Sequence, residues 1–250
     1  MDVHRFTNSD GVELAWTETG SGRTVILLPG FGGVGSRMLE HDPVRTLAEQ
    51  GYRVVLPDFR GYGNSAKPDD PTMFPSDVLA DDGLALIEHL GLGDGDYDLG
   101  GYSLGARIVV RMLVRGAEPG CAIVAGQGLA NVSGPQAGAN HRVLTALVNG
   151  VVIEPDSPDA RRAHALSQGG ADPRTLLHVL DSLVSTSEEA LTQIPVPTLV
   201  VIGDRDERSD ADRLAALLQN ARFVCVPGDH ASAFVAPELT AAIVEFLAAQ

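Results

Sequence analysis

Three short segments carry the residues whose types and spacing could do chemistry. Gly101-Tyr102-Ser103-Leu104-Gly105 follows an apolar run and opens a helical pattern. A serine on so sharp a strand-to-helix turn is forced into a strained backbone, and the turn leaves room only for glycine two residues to either side. Gly203-Asp204-Arg205-Asp206 closes a second apolar run, where a carboxylate could orient an imidazole and stabilise its cation. His230, in Val226-Pro227-Gly228-Asp229-His230, follows the next run. The chain order is thus serine, aspartate, histidine, each at the C-terminal end of an apolar run. In an open α/β sheet those ends share one rim, so a nucleophile, an orienting acid and a base can converge there.

The elements that must position these groups are legible as alternating apolar and helical segments. Residues 24–29, 53–57, 96–100, 121–125, 197–202 and 222–226 read as strands, most of them apolar throughout rather than alternating. Strands buried on both faces of a parallel sheet look this way. Helical patterns over 38–50, 76–91, 104–116, 209–220 and 233–249 lie between them, and an alternating pair at 3–8 and 12–18 predicts an antiparallel start. The expectation is a doubly wound, mostly parallel α/β sheet. Residues 131–193 break the rhythm, with no strand core and no Phe, Trp or Tyr. Leu144, Leu147, Val148 and Val151 recur at helical spacing, and Leu176, Leu177, Leu180 and Val184 form a second stripe. An all-helical insertion between two strands is expected there.

Composition sets the outer bounds. With 250 residues, 44% apolar and 20% charged, the chain can bury a full core as one large domain or two small ones. A net charge of −15 argues against sequence-independent nucleic-acid binding, because little here could neutralise a row of phosphates. Lys67 is the single lysine, which removes most lysine-based chemistry. Cys121 and Cys225 both sit in apolar runs and read as small buried hydrophobes in a reducing compartment. The opening MDVHRFTNSDGVEL has no basic-then-apolar signal region, and the longest apolar runs are far too short to span a bilayer. A soluble cytoplasmic protein without membrane partners is expected, and monomer and homodimer are equally compatible with these features.

The segments LLPGFGG, DFRGYGNS, GYSLGA, VIGDRDE and GDH together resemble the α/β-hydrolase superfamily over residues 1–130 and 194–250, with 131–193 in the position of that family's helical cap. The resemblance implies an α/β-hydrolase fold, with an eight-stranded mostly parallel sheet, helices on both faces and a small all-helical cap. By motif position it implies Ser103 as nucleophile, Asp206 as acid and His230 as base. Asp204 is the rival acid on the same turn, and Asp229 is expected to be exposed. It also implies an oxyanion hole from the N–H groups of Leu104 and Phe31. Pro29 stands where many relatives carry histidine, which leaves Gly32 as an alternative to Phe31. Gly30, Gly32 and Tyr102 are expected at the substrate pocket. Leu144, Val148, Leu177 and Leu180 either pack the cap on the sheet, or also roof the pocket with an aliphatic surface.

The implied function is hydrolysis of a carboxylic ester, lactone or thioester of a small, mostly neutral substrate, with no cofactor and no metal. A carbon–carbon bond hydrolase would use the same triad. A ligand-binding or pathway-tailoring protein of the same fold is the alternative from another class. Family members that open epoxides or remove halides use an Asp where Ser103 stands, which disfavours those reactions.

One rival signal competes. Gly30-Phe31-Gly32-Gly33-Val34-Gly35 is a literal G-x-G-x-x-G after a strand, with Asp58 ending the next strand as a candidate ribose ligand. That dinucleotide reading leaves Ser103, Asp206 and His230 as coincidences. Asp204, Asp206, Asp210 and Asp212 resemble a calcium loop in density only, lacking its glycine and closing glutamate. Arg60 is expected to anchor a loop, and Arg161 and Arg162 to face solvent, with a substrate carboxylate as the alternative partner. His141, His164 and His178 fit no metal spacing.

Overall fold

In the computed structural model, which describes residues 2–134, 138–167 and 171–250, eight strands hydrogen-bond into one sheet. They are β1 (His4–Thr7), β2 (Glu13–Gly20), β3 (Arg23–Leu28), β4 (Tyr52–Asp58), β5 (Tyr97–Tyr102), β6 (Ala122–Ala125), β7 (Thr198–Gly203) and β8 (Ala221–Val226). Their spatial order is β1-β2-β4-β3-β5-β6-β7-β8. β2 runs antiparallel to both β1 and β4, and every other pairing is parallel. The α/β-hydrolase fold expected from the sequence is present.

Around the sheet lie α1 (Gly35–Met38), α2 (Asp42–Glu49), α3 (Val78–His89), α4 (Leu104–Val114), α5 (Leu129–Ser133), α6 (Ala139–Val148), α7 (Pro158–Ser167), α8 (Pro173–Asp181), α9 (Glu188–Leu191), α10 (Ala211–Leu217) and α11 (Pro237–Ala248). Because side chains alternate across a strand, successive residues of β3 divide between two cores. Val25 and Leu27 pack with α2 and α11, whereas Ile26 and Leu28 pack with α3, α4 and α10. This two-faced burial is why the central strands read as unbroken apolar runs.

Three expectations are corrected. The helix read over 38–50 starts only at Asp42, because Pro43 sits in the first turn of α2 and His41 before it is extended (φ −83°, ψ 143°), and the short α1 ends at Met38. The pattern over 233–249 begins with a separate 3₁₀ turn at Ala233–Val235, and Pro237 starts α11. Cys121 is buried, but Cys225 is exposed, because β8 is the sheet's edge and half of its side chains are exposed. Burial and the neighbouring Asp98 carboxylate push the Cys121 thiol up.

Between β6 and β7 lie α5 to α9 and, among the described residues, no strand. Asp172 caps α8, accepting from the N–H of Arg174 at 2.9 Å and of Thr175 at 3.3 Å. Arg107 of α4 ties this helical segment down at both ends: its guanidinium donates to the Asn131 carbonyl, and to the Val184 carbonyl at 2.8 Å. Burial without a carboxylate partner pushes that guanidinium down to about 10. Arg60 is fully buried, bidentate to Asp82 at 2.6 and 2.7 Å and bonded to Asp10 at 2.7 Å and to the Met73 carbonyl. It anchors loops and reaches no cleft. No helix among the described residues is long and apolar enough to cross a membrane.

Candidate active site

β5 ends at Tyr102 and α4 begins at Leu104, so the whole reversal falls on Ser103, at φ 54° and ψ −116°. A side chain held there costs on the order of 1–3 kcal/mol, and the neighbours must over-determine it. They do so from both sides: the Ser103 N–H donates to the Ala125 carbonyl at 2.9 Å, and the Gln127 amide donates to the Ser103 carbonyl at 2.6 Å. The flanking glycines are required by contact. A Cβ at Gly105 would lie 2.2 Å from the Leu28 carbonyl oxygen, and one at Gly101 would lie 2.4 Å from the Gly105 backbone.

β8 delivers His230 on the loop that follows it. Its Nε2 lies 3.0 Å from Ser103 Oγ, and its Nδ1 lies 2.7 Å from Asp206 Oδ2. The Asp206 carboxylate is buried, and its other oxygen accepts from the Arg208 N–H and from Arg208 Nη1, both at 3.1 Å. Asp204 is turned away from the histidine ring. It accepts from the Gly228 N–H at 2.8 Å and pairs with Arg205 at 3.2 Å, knitting the β7 loop to the β8 loop. Asp229 is exposed, and its carboxylate accepts from the N–H groups of Ala231 and Ser232 in the turn after His230.

Sequence reasoning placed Tyr102 at the pocket and missed what it does. Its hydroxyl donates to the His230 carbonyl at 2.7 Å, and its ring lies 5.3 Å from the imidazole and 4.7 Å from Phe234. Burial, with the Asp206 charge beside it, pushes the phenol up and keeps it a donor. Arg208 was also missed; nothing in a lone arginine two residues past an aspartate signals a carboxylate clamp.

The loop after β3 supplies the facing wall. A Cβ at Gly30 would lie 3.8 Å from Ser103 Cβ, so backbone alone approaches the serine there. Gly33 N–H closes a turn onto the Gly30 carbonyl at 2.9 Å, and Gly32 takes φ +76°. Neither the Phe31 N–H nor the Leu104 N–H donates to a protein acceptor among the described residues. Leu104 is the first residue of α4, where unpaired donors and the helix dipole favour negative charge.

The dinucleotide reading fails on Asp58. Its two oxygens accept from the Gly35 N–H at 2.6 Å and the Asn64 N–H at 2.7 Å, binding the glycine-rich loop to the DFRGYGNS loop. A Cβ at Gly63 would strike it at 2.2 Å. Asp58 is buried with both oxygens bonded to protein donors, so it is not presented to a ribose.

Above Ser103 opens a cleft of about 830 Å³, lined on the sheet side by Gly30, Phe31, Gly32, Tyr102, Ser103 and His230. The helical segment contributes Asn140 of α6 and Arg162, Ala165 and Leu166 of α7. Leu144, Val148, Leu177 and Leu180, expected as a possible aliphatic roof, do not line it. Leu144 and Leu180 are buried in the core under α6 and α8, and Leu177 packs against it. Helix-to-helix packing takes up Leu144, Leu177 and Leu180, and the more polar α7 borders the opening. Arg161 turns away to the Asp156 carbonyl at 2.7 Å, His141 pairs with Asp181 at 2.9 Å, and His178 packs beside Phe74.

A hydroxyl in contact with an imidazole, itself held by a buried carboxylate, at the C-terminal ends of parallel strands, can lose its proton as the oxygen attacks an electrophilic carbon. The chain belongs to the alpha/beta hydrolase family, matching it over residues 25–243. It is 28% identical over 261 residues to a non-heme haloperoxidase of Rhodococcus erythropolis, covering 89% of this chain and 90% of that one. A hydrolase from Pseudomonas aeruginosa has the same fold, with a TM-score of 0.79, 22% identity and 98% of each chain covered. So does a thermophilic esterase from Thermogutta terrifontis, with a TM-score of 0.76, 23% identity, and 99% of this chain and 98% of that one covered.

Proposed function

We propose that the protein is a serine hydrolase that cleaves a carboxylic ester or a related acyl bond, a lactone or thioester. One observation carries the reading: His230 bridges Ser103 Oγ at 3.0 Å and Asp206 at 2.7 Å. Ser103 Oγ attacks the acyl carbon while His230 Nε2 takes its proton. The carbonyl oxygen, now an oxyanion, is held by the N–H groups of Phe31 and Leu104. The intermediate collapses, the alcohol leaves with the proton from His230, and the acyl group stays on Ser103. Water, deprotonated by the same nitrogen, then releases the acid and restores the hydroxyl. Each oxyanion donor contributes on the order of 10²–10³ in rate, and the base about 10²–10⁴. In this reading residues 1–130 and 194–250 form the catalytic core, and 131–193 form the cap over it.

The test is intact-protein mass after exposure to a fluorophosphonate probe. A single adduct on the wild type, absent from Ser103→Ala, together with loss of ester turnover in that variant, is the expected result. A wild type that neither takes the probe nor turns over a panel of esters overturns the proposal.

A further inference from the structure

The cleft gathers arginines in an otherwise acidic chain. The whole protein carries 33 acidic against 18 basic side chains, yet the described lining of the cleft has four arginines, Arg37, Arg162, Arg205 and Arg208, against the carboxylates of Glu207 and Asp229.

Three of these arginines, Arg37, Arg205 and Arg208, have partners. Arg208 is bonded to Asp206 at 3.1 Å, and Arg205 to Asp204 at 3.2 Å. Arg162 differs. Its Nη1 donates to the neutral Asn140 Oδ1 at 2.9 Å, and Asp159, whose charge it feels, is already held by Arg142 at 2.7 and 3.1 Å. Arg162, an exposed residue, thus brings a guanidinium, with no carboxylate bonded to it among the described residues, to the α7 side of the cleft. It shares the cleft side of α7 with Ala165 and Leu166, at the helical spacing of one face. The Asn140 amide nitrogen adds a second donor from α6.

We propose that Arg162 and Asn140 receive a carboxylate of the substrate, so that the bond cleaved at Ser103 belongs to an acyl compound carrying a second, free carboxylate, such as the half-ester of a dicarboxylic acid. This rests on the serine-hydrolase reading. A guanidinium fork matches a carboxylate in shape and charge. The net charge of the chain by itself points to neutral substrates, and the Arg162 guanidinium is the local exception to it.

The experiment compares the mono-4-nitrophenyl ester of glutaric acid with its uncharged terminal amide. For the wild type, kcat/KM is expected to favour the anion by about tenfold or more, a preference that shrinks in high salt. Arg162→Gln lowers that ratio through KM, Arg162→Lys restores part of it, and Arg161→Gln, on the outward side of the same helix, retains it. A wild-type ratio of one or below, or a ratio unaltered in Arg162→Gln, overturns the anion site while leaving the hydrolase reading standing. Calorimetry of glutarate on Ser103→Ala reads the site without turnover. Binding weakened at least fivefold by adding Arg162→Gln supports the anion site even if neither ester is cleaved, and no binding at millimolar glutarate overturns it.

Discussion

The hydroxyl of Tyr102 donates to the main-chain carbonyl of His230 at 2.7 Å, so the residue before Ser103 holds in place the residue that contacts the Ser103 hydroxyl. The strand that presents the serine thereby also sets the height of the imidazole over it. Gly126 makes this possible: a Cβ there would lie 2.8 Å from the Tyr102 ring and 3.2 Å from His230.

Tyr102→Phe keeps the ring against His230 and Phe234 and removes only that hydrogen bond, worth about 1 kcal/mol. Ester kcat is expected to fall about threefold to tenfold with little change in KM, because the loss is in the placement of the base. Steady-state kinetics and a thermal melt check it. An unchanged kcat would show that the loop after β8 holds His230 without Tyr102.

Asp206 and Asp204 lie on one turn and do different work. Asp206→Asn leaves the shape of the site but takes the negative charge from behind His230, and kcat is expected to drop on the order of 10³–10⁴-fold. Asp204→Asn retains the amide oxygen that accepts from the Gly228 N–H, so activity is expected to stay within about threefold. The kinetics of the two variants, side by side, decide which carboxylate serves the histidine. Equal losses would overturn the assignment.

Gly105→Ala tests the elbow by packing alone. In an open helix position the change would stabilise by about 1 kcal/mol. Here the new methyl would meet the Leu28 carbonyl oxygen at 2.2 Å and the Pro29 carbonyl oxygen at 2.8 Å, so β3 and α4 must part. Destabilisation of about 3 kcal/mol or more is expected in urea unfolding. Stability at or above the wild type would mean the elbow is looser than its distances.

Much of the architecture was open to reading because buried parallel strands leave a signature that depends on local composition. β3, β6 and β7 are buried on both faces and appear as unbroken apolar runs, each within a residue or so of its place in the structure. β8 is the instructive exception. The same kind of run lies at the sheet's edge, where one uncovered side leaves Cys225 exposed, and neighbours that are absent in space leave no mark on a strand's own residues.

The sequence by itself determined the order Ser103, Asp206, His230 and the glycines around the serine, because sharp turns and close approaches restrict residue type locally. Only the tertiary structure decided that Asp206 and not Asp204 faces the histidine, and that Asp58 staples two loops instead of meeting a ribose. It also decided that α7, with Arg162, and not the leucines of α6 and α8, borders the cleft. Each of these choices depends on which partner lies across a gap between elements distant in the chain. A leucine stripe or an aspartate pair reads the same whichever way its element is turned.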